Sequence, residues 1–208
     1  MSHVATHSDE PLMAHGSILK TGIPNGKIAL WLFLGSEVMF FTGLIGAYIV
    51  LRFSQPIESW GYNPALPEFP LALELTAFNT FLLICSSVTL VYGLQHMQRG
   101  HRGKANIGLL LTTLFGATFV GIQMIEYLEL FHHTFRPETD LFASCFYTMT
   151  GFHGFHVFVG VIAMAVLTVM GFMGKFSAKN YAAIELVGLY WHFVDLVWII
   201  LFAIVYLI

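Results

Sequence analysis

Charge is what this sequence has least of. Lys, Arg, Asp and Glu together make up 10% of its 208 residues, where a soluble domain carries about 25%. So few charges cannot coat a water-soluble globule. The net charge of -3 is mild and gives no electrostatic footprint for nucleic acid. Cysteine is nearly absent as well. Cys85 and Cys145 are the two in the chain, both inside apolar runs. Neither belongs to a Cys-x-x-Cys motif or has a charged neighbour that would activate it, so both read as buried free thiols. The chain also lacks short alternating strands, which disfavours a membrane β-barrel. No internal repeat of the inverted kind found in transporters is visible.

What remains is apolar sequence: 57% hydrophobic residues, 15% aromatic and a mean hydropathy of +0.74. It falls into five long runs, 28–51, 71–97, 105–131, 141–173 and 184–208. Each reaches the ~20 residues that a helix needs to cross the bilayer core. The expected fold is all-α, a polytopic bundle of five transmembrane helices. Residues 1–27 are polar and have no apolar core of a signal peptide, so they read as a flexible cytoplasmic tail. Residues 52–70 contain Pro56, Pro64, Pro67 and Pro70 and read as an extended loop.

Basic residues set the expected orientation. Lys20, Lys27, Arg99, Arg102, Lys104, Lys175 and Lys179 fall on one side, and Arg52 and Arg136 on the other. Positive residues stay inside. The N-terminus is therefore expected in the cytoplasm and the C-terminus on the periplasmic or extracellular side of a bacterial cell membrane.

Polar groups inside the apolar runs carry the functional argument. A charge near the bilayer centre costs ~2.5–3.5 kcal/mol or more, so it needs a partner or a task. Glu37 lies deep in the first run, in FLGSEVMFF. It reads either as a structural partner or as a protonatable group near a water path. Gln123, Glu126 and Glu129 lie three apart on the third helix, in GIQMIEYLEL. His153 and His156 share GFHGFHVFVG on the fourth, and His192 and Asp195 share LYWHFVDLVWIILFAIVYL on the fifth.

Two chemistries compete for these residues. Pairs at i, i+3 lie on one side of a helix, and His, His, His and Asp are metal ligands. Glu129 and His132 even have the Glu-x-x-His spacing of di-iron bundles. That motif occurs once, however, and at a membrane edge. Of the other histidines, His3, His7 and His15 lie in the tail, His96 and His101 flank a loop, and His133 ends the third run. A membrane di-iron oxygenase is thus the weaker alternative. The favoured reading is hydrogen bonding between helices, with Glu126 the expected partner of His153 or His156. Close approach is expected at the small residues Gly43 and Ala47, Ala117 and Gly121, and Gly151 and Gly154.

The four quoted stretches, in order and on separate helices, resemble subunit III of the haem-copper terminal oxidases. The resemblance runs from about Lys27 to Leu207. It implies an accessory subunit without haem or copper, both held by partner subunits. Such a subunit packs on catalytic subunit I, supports proton uptake, protects the complex during turnover and binds phospholipid. It puts Glu37 at the intramembrane glutamate that reacts with hydrophobic carbodiimides. Gln123, Glu126, His153, His156, His192 and Asp195 fall in the polar interior. No catalytic residue and no metal site is implied. The first two helices of the seven-helix form are absent, so lipid or partner helices are expected on that flank. Glutamate in GSEV points to the cytochrome c branch, with a quinol oxidase as the alternative.

Overall fold

The computed structural model describes residues 25–56, 60, 73–132, 137–138 and 140–207. Most of the tail, most of the proline-rich loop, His133 and Arg136 lie outside the described residues. Five helices follow one another: α1 (Asn25–Ser54), α2 (Leu73–Gln98), α3 (Arg102–His132), α4 (Leu141–Phe172) and α5 (Ala182–Phe202). A π-helical turn, Ala203–Leu207, continues α5. All five helices are long and apolar enough to cross a membrane. This is a membrane protein by the dimensions of its elements.

Helix α1 outruns its apolar stretch by about a turn, because Asn25, Gly26 and Lys27 add helix beyond the hydrocarbon-like segment. Helix α4 is capped by Asp140, whose carboxylate accepts from the Ala143 N–H at 2.7 Å. Both tight connections at the other end of the bundle turn on a left-handed glycine, Gly100 at φ 81° and Gly174 at φ 75°. That conformation costs little only without a Cβ.

The elements alternate in direction. One end collects Lys27, the α2–α3 turn with Arg99 and Arg102, and the α4–α5 turn with Lys175. It is tied by a 2.7 Å ion pair between Lys27 and Glu185. Arg52 lies at the opposite end, over the ring of the fully buried Trp60 at 5.6 Å. Trp60 is a described fragment of the long connection, plugged edge-on against Tyr48 and Phe142.

The core is built on α2–α5. Helix α1 buries only Leu34, Phe41 and Tyr48, whereas each of the other four helices buries at least eight residues. α2 and α3 approach so closely that a Cβ on Gly108 would stand 2.6 Å from the Gly93 Cα. Trp191 fills the centre, with its ring against Gly116 and Gly160, where a Cβ would come within 2.5 and 2.9 Å of it. Its indole N–H donates to Ser86 Oγ at 2.8 Å.

These contacts correct the expected close approaches. Gly43, Gly121 and Gly154 have nothing within 4 Å of a Cβ, and Gly151 has only the Tyr127 hydroxyl, at 4.0 Å. The glycines where a Cβ would crowd a neighbouring helix include Gly93, Gly108, Gly116, Gly160 and Gly171. Helical spacing alone does not say which way a glycine faces.

Candidate functional site

Six of the polar residues singled out in the sequence, Glu37, Gln123, Glu126, His156, His192 and Asp195, fall into three hydrogen-bonded clusters, and His153 and Glu129 stand outside them. The first joins α1 to α4. His156 stands at the midpoint of α4, and Glu37 lies about 4 Å along the axis from the midpoint of α1. His156 Nε2 is 3.0 Å from Glu37 Oε2, with side-chain exposures of 13% and 17%.

The proton count of this contact follows from its other side. His156 Nδ1 sits 2.7 Å from the Phe152 carbonyl oxygen. A carbonyl only accepts, so Nδ1 carries a hydrogen. A hydrogen bond between Nε2 and Oε2 then requires one further proton. Either the imidazole is doubly protonated beside a carboxylate, or a neutral carboxyl donates to a neutral imidazole. Both forms have zero net charge, and they differ by one proton transfer along a 3.0 Å contact. A group held this way avoids placing an isolated charge in hydrocarbon. Phe40 and Phe41 flank the imidazole at centroid distances of 6.4 and 5.2 Å. The Tyr190 hydroxyl on α5 donates to the His156 carbonyl at 3.0 Å.

The second cluster surrounds Glu126. Its Oε1 accepts from Thr76 Oγ1 at 3.0 Å and from the Tyr206 hydroxyl at 3.2 Å. Its Oε2 accepts from Gln123 Nε2 at 3.3 Å. Three elements thus converge on one carboxyl that is 2% exposed. Tyr206 belongs to the π-helical turn, which carries its hydroxyl to Glu126.

The third cluster bridges α2 and α5. Ser87 Oγ donates to Asp195 Oδ2 at 2.7 Å. With that hydrogen committed, the 3.2 Å contact between Ser87 Oγ and His192 Nδ1 must be donated by the ring. His192 Nε2 is therefore an acceptor in the neutral tautomer. His192 borders a shallow groove that also touches Ser87, Tyr92 and Gln95.

His153 differs from the expected arrangement. It is 1% exposed, and neither ring nitrogen has a hydrogen-bond partner among the described residues. The ring stacks on Trp198 at 4.8 Å and meets Phe119 edge-on at 6.3 Å. Neither His153 nor His156 bonds to Glu126. The cause is the 60° offset between positions three apart: His153 turns into the bundle, while His156 turns to α1. Glu126 meanwhile faces α2 and the end of α5.

Sequence reasoning missed Thr76, Ser87, Tyr190 and Tyr206 as partners. Their signal was present, as hydroxyls placed at helical spacing inside apolar runs. Among the described residues, no three His, Cys, Asp or Glu side chains gather as a group that could hold a metal ion. Glu129 is exposed and is not among the hydrogen-bond partners of Glu126.

Comparison with known proteins agrees with the four motifs. A family model described as cytochrome c oxidase subunit III matches residues 7–208. Cytochrome c oxidase subunit 3 of Bacillus sp. (strain PS3) is 33% identical over 183 residues, covering 88% of this chain and 86% of the relative. The Thermostichus vulcanus protein of the same name is 36% identical over 183 residues, with 86% of each covered. That of Synechocystis sp. (strain ATCC 27184 / PCC 6803 / Kazusa) is 40% identical over 181 residues, covering 85% of this chain and 72% of the relative. These names do not favour a quinol oxidase. The chain belongs to the cytochrome c oxidase subunit III family.

Proposed function

We propose that this chain serves a cytochrome c oxidase as an accessory subunit that carries no haem or copper and performs no catalytic step. It packs on the catalytic subunit, supports proton uptake there, and stabilises the complex while oxygen is reduced. The observation that carries this reading is the Glu37–His156 pair. It holds one exchangeable proton near the middle of the bundle, on the helix that its own chain covers least.

Each part of the pair has a role that its geometry supports. The Phe152 carbonyl keeps a hydrogen on His156 Nδ1, which reserves Nε2 for Glu37. The pair is neutral in both proton arrangements, so it can sit against an apolar partner surface without an unpaired charge. In its neutral form Glu37 presents the protonated carboxyl with which an apolar carbodiimide reacts. The Glu126 and Ser87–His192–Asp195 clusters tie α2, α3 and α5 together and are structural in this reading.

The basic end, with Lys27, Arg99, Arg102, Lys104 and Lys175, is assigned to the cytoplasm. The home is a bacterial cell membrane, the electron donor is cytochrome c, and phospholipid fills the lateral surface that partners leave open. The test is purification in mild detergent, followed by mass spectrometry and a visible spectrum. Haem bands are expected in the co-purified complex and not in the separated chain. Haem bands that stay with the separated chain would overturn the reading.

A further inference from the structure

Helix α2 ends in a turn that brings two histidines together. The Gly100 N–H donates to the Met97 carbonyl at 3.0 Å, and the His101 N–H reaches back to the His96 carbonyl at 2.9 Å. With Gly100 at φ 81°, these two bonds form a Schellman stop. His96 and His101 hold the two positions whose side chains meet across such a stop, where an apolar contact is common. Here both are imidazoles, with ring centres 6.1 Å apart and planes inclined at 63°. His101 is exposed and His96 is half-buried. Neither belongs to the three polar clusters inside the bundle.

The His96 ring is held in a way that leaves one nitrogen for use. Its Nδ1 lies 2.9 Å from the Tyr92 carbonyl oxygen. A carbonyl only accepts, so Nδ1 carries the hydrogen, and in the neutral ring Nε2 keeps its lone pair. The Tyr92 ring lies against the imidazole with centres 4.1 Å apart. An imidazole that donates one N–H to a backbone carbonyl and offers its other nitrogen has the arrangement of a metal-ligating histidine.

Distance decides whether one ion can bridge the two rings. A metal ion ~2.0–2.1 Å from a ring nitrogen lies roughly 3.2 Å from that ring's centre, so two rings that share it stand at most about 6.4 Å apart. The observed 6.1 Å is within that reach. Tetrahedral coordination asks for roughly 5.2 Å between ring centres, which the exposed His101 supplies by a small turn of its ring. The surrounding charge is mixed. Arg99 and Arg102 lie in the same turn and oppose a cation, whereas the carbonyl end of α2 favours one. Among the described residues no third His, Cys, Asp or Glu completes a cluster. Water therefore fills the remaining positions, and the affinity is modest.

We propose that His96 and His101 together chelate a divalent transition-metal ion of the Zn2+ or Ni2+ class, which imidazole nitrogen suits. His96 binds through Nε2, and the ion staples the turn between α2 and α3. The proposal goes beyond the accessory role and does not depend on it, because both ligands belong to this chain.

The test uses the full chain in the assembly with which it purifies, without a polyhistidine tag and with His3, His7 and His15 of the tail replaced by alanine. After treatment with a chelator and its removal, Zn2+ is added and binding is followed by titration calorimetry. His96→Ala and His101→Ala are each expected to remove the same single saturable Zn2+ site. The double variant is expected to remove no more than either alone, since one ion needs both rings. Size-exclusion profiles matching the parent show that the variants remain assembled. A parent without a Zn2+ site sensitive to these substitutions would overturn the proposal. So would a site lost with one histidine and kept without the other, or two separate losses that add in the double variant.

Discussion

At the scale of single residues, Glu37→Gln separates the structural contribution of the Glu37–His156 contact from its proton. The amide still donates to His156 Nε2, so the hydrogen bond survives but has no acid to exchange. The variant is expected to assemble normally, with stability within about 1 kcal/mol of the parent in detergent melting. Modification by a hydrophobic carbodiimide, read by intact mass, is expected to disappear. Persistent labelling would mean that another carboxyl is the reactive one. Glu37→Leu is expected to cost more, about 0.6–2 kcal/mol, because it strands Nε2 in an apolar setting. The identity of these polar residues was legible in the sequence, since an acid or imidazole in an apolar run is conspicuous. Their pairing was not. His153 and His156 share a motif but face different surroundings, and a 60° difference in direction sends one to Trp198 and the other to Glu37.

At the scale of helices, α2 shows why lengths were readable and faces were not. Its buried residues are Thr76, Asn79, Thr80, Leu83, Ser86, Leu90, Gly93 and Met97. Most are polar or small, while Phe78, Phe81 and Val88 point outward at 56%, 59% and 66% exposure. In a bilayer both the outside and the inside are apolar, so hydrophobic periodicity carries little information about burial. The informative spacing is that of small and hydroxylated side chains, which pack closely or bond across helices. Gly108→Ala tests the closest of these contacts. Its Cβ would meet the Gly93 backbone at 2.6 and 2.8 Å, so α2 and α3 must separate. A loss of about 1–3 kcal/mol is expected from overpacking, measured by thermal or SDS unfolding of the complex. Gly121→Ala, on the same helix but open to its surroundings, is expected to be neutral or mildly stabilising by helix propensity. Equal effects at the two sites would remove the close approach as the cause.

At the scale of the whole molecule, α1 is the element whose packing is least explained by this chain. Its links to the rest are the Lys27–Glu185 pair near one end, the Glu37–His156 pair at the middle, and aromatic contacts around Phe41 and Tyr48. Its outward face exposes Leu32, Met39, Val50 and Phe53 at 73%, 78%, 68% and 82%. An apolar face of this extent is at home against lipid or another transmembrane helix. A catalytic subunit seated there would bring its proton-uptake surface near Glu37. Removal of the chain from the purified oxidase should therefore affect proton supply and durability, not the redox centres. Haem absorption is expected to remain nearly unchanged, and initial oxygen reduction to persist. Proton uptake is expected to slow, and activity to decay sooner during continuous turnover, as followed with an oxygen electrode. The complex carrying Glu37→Gln distinguishes two routes to that outcome. If slowed uptake comes from losing the exchangeable proton, the variant reproduces it with the subunit in place. If it comes from uncovering the catalytic subunit, the variant behaves as the parent and only removal has an effect. Bleached haem bands after removal would contradict both routes, because they would place a cofactor's support in this chain.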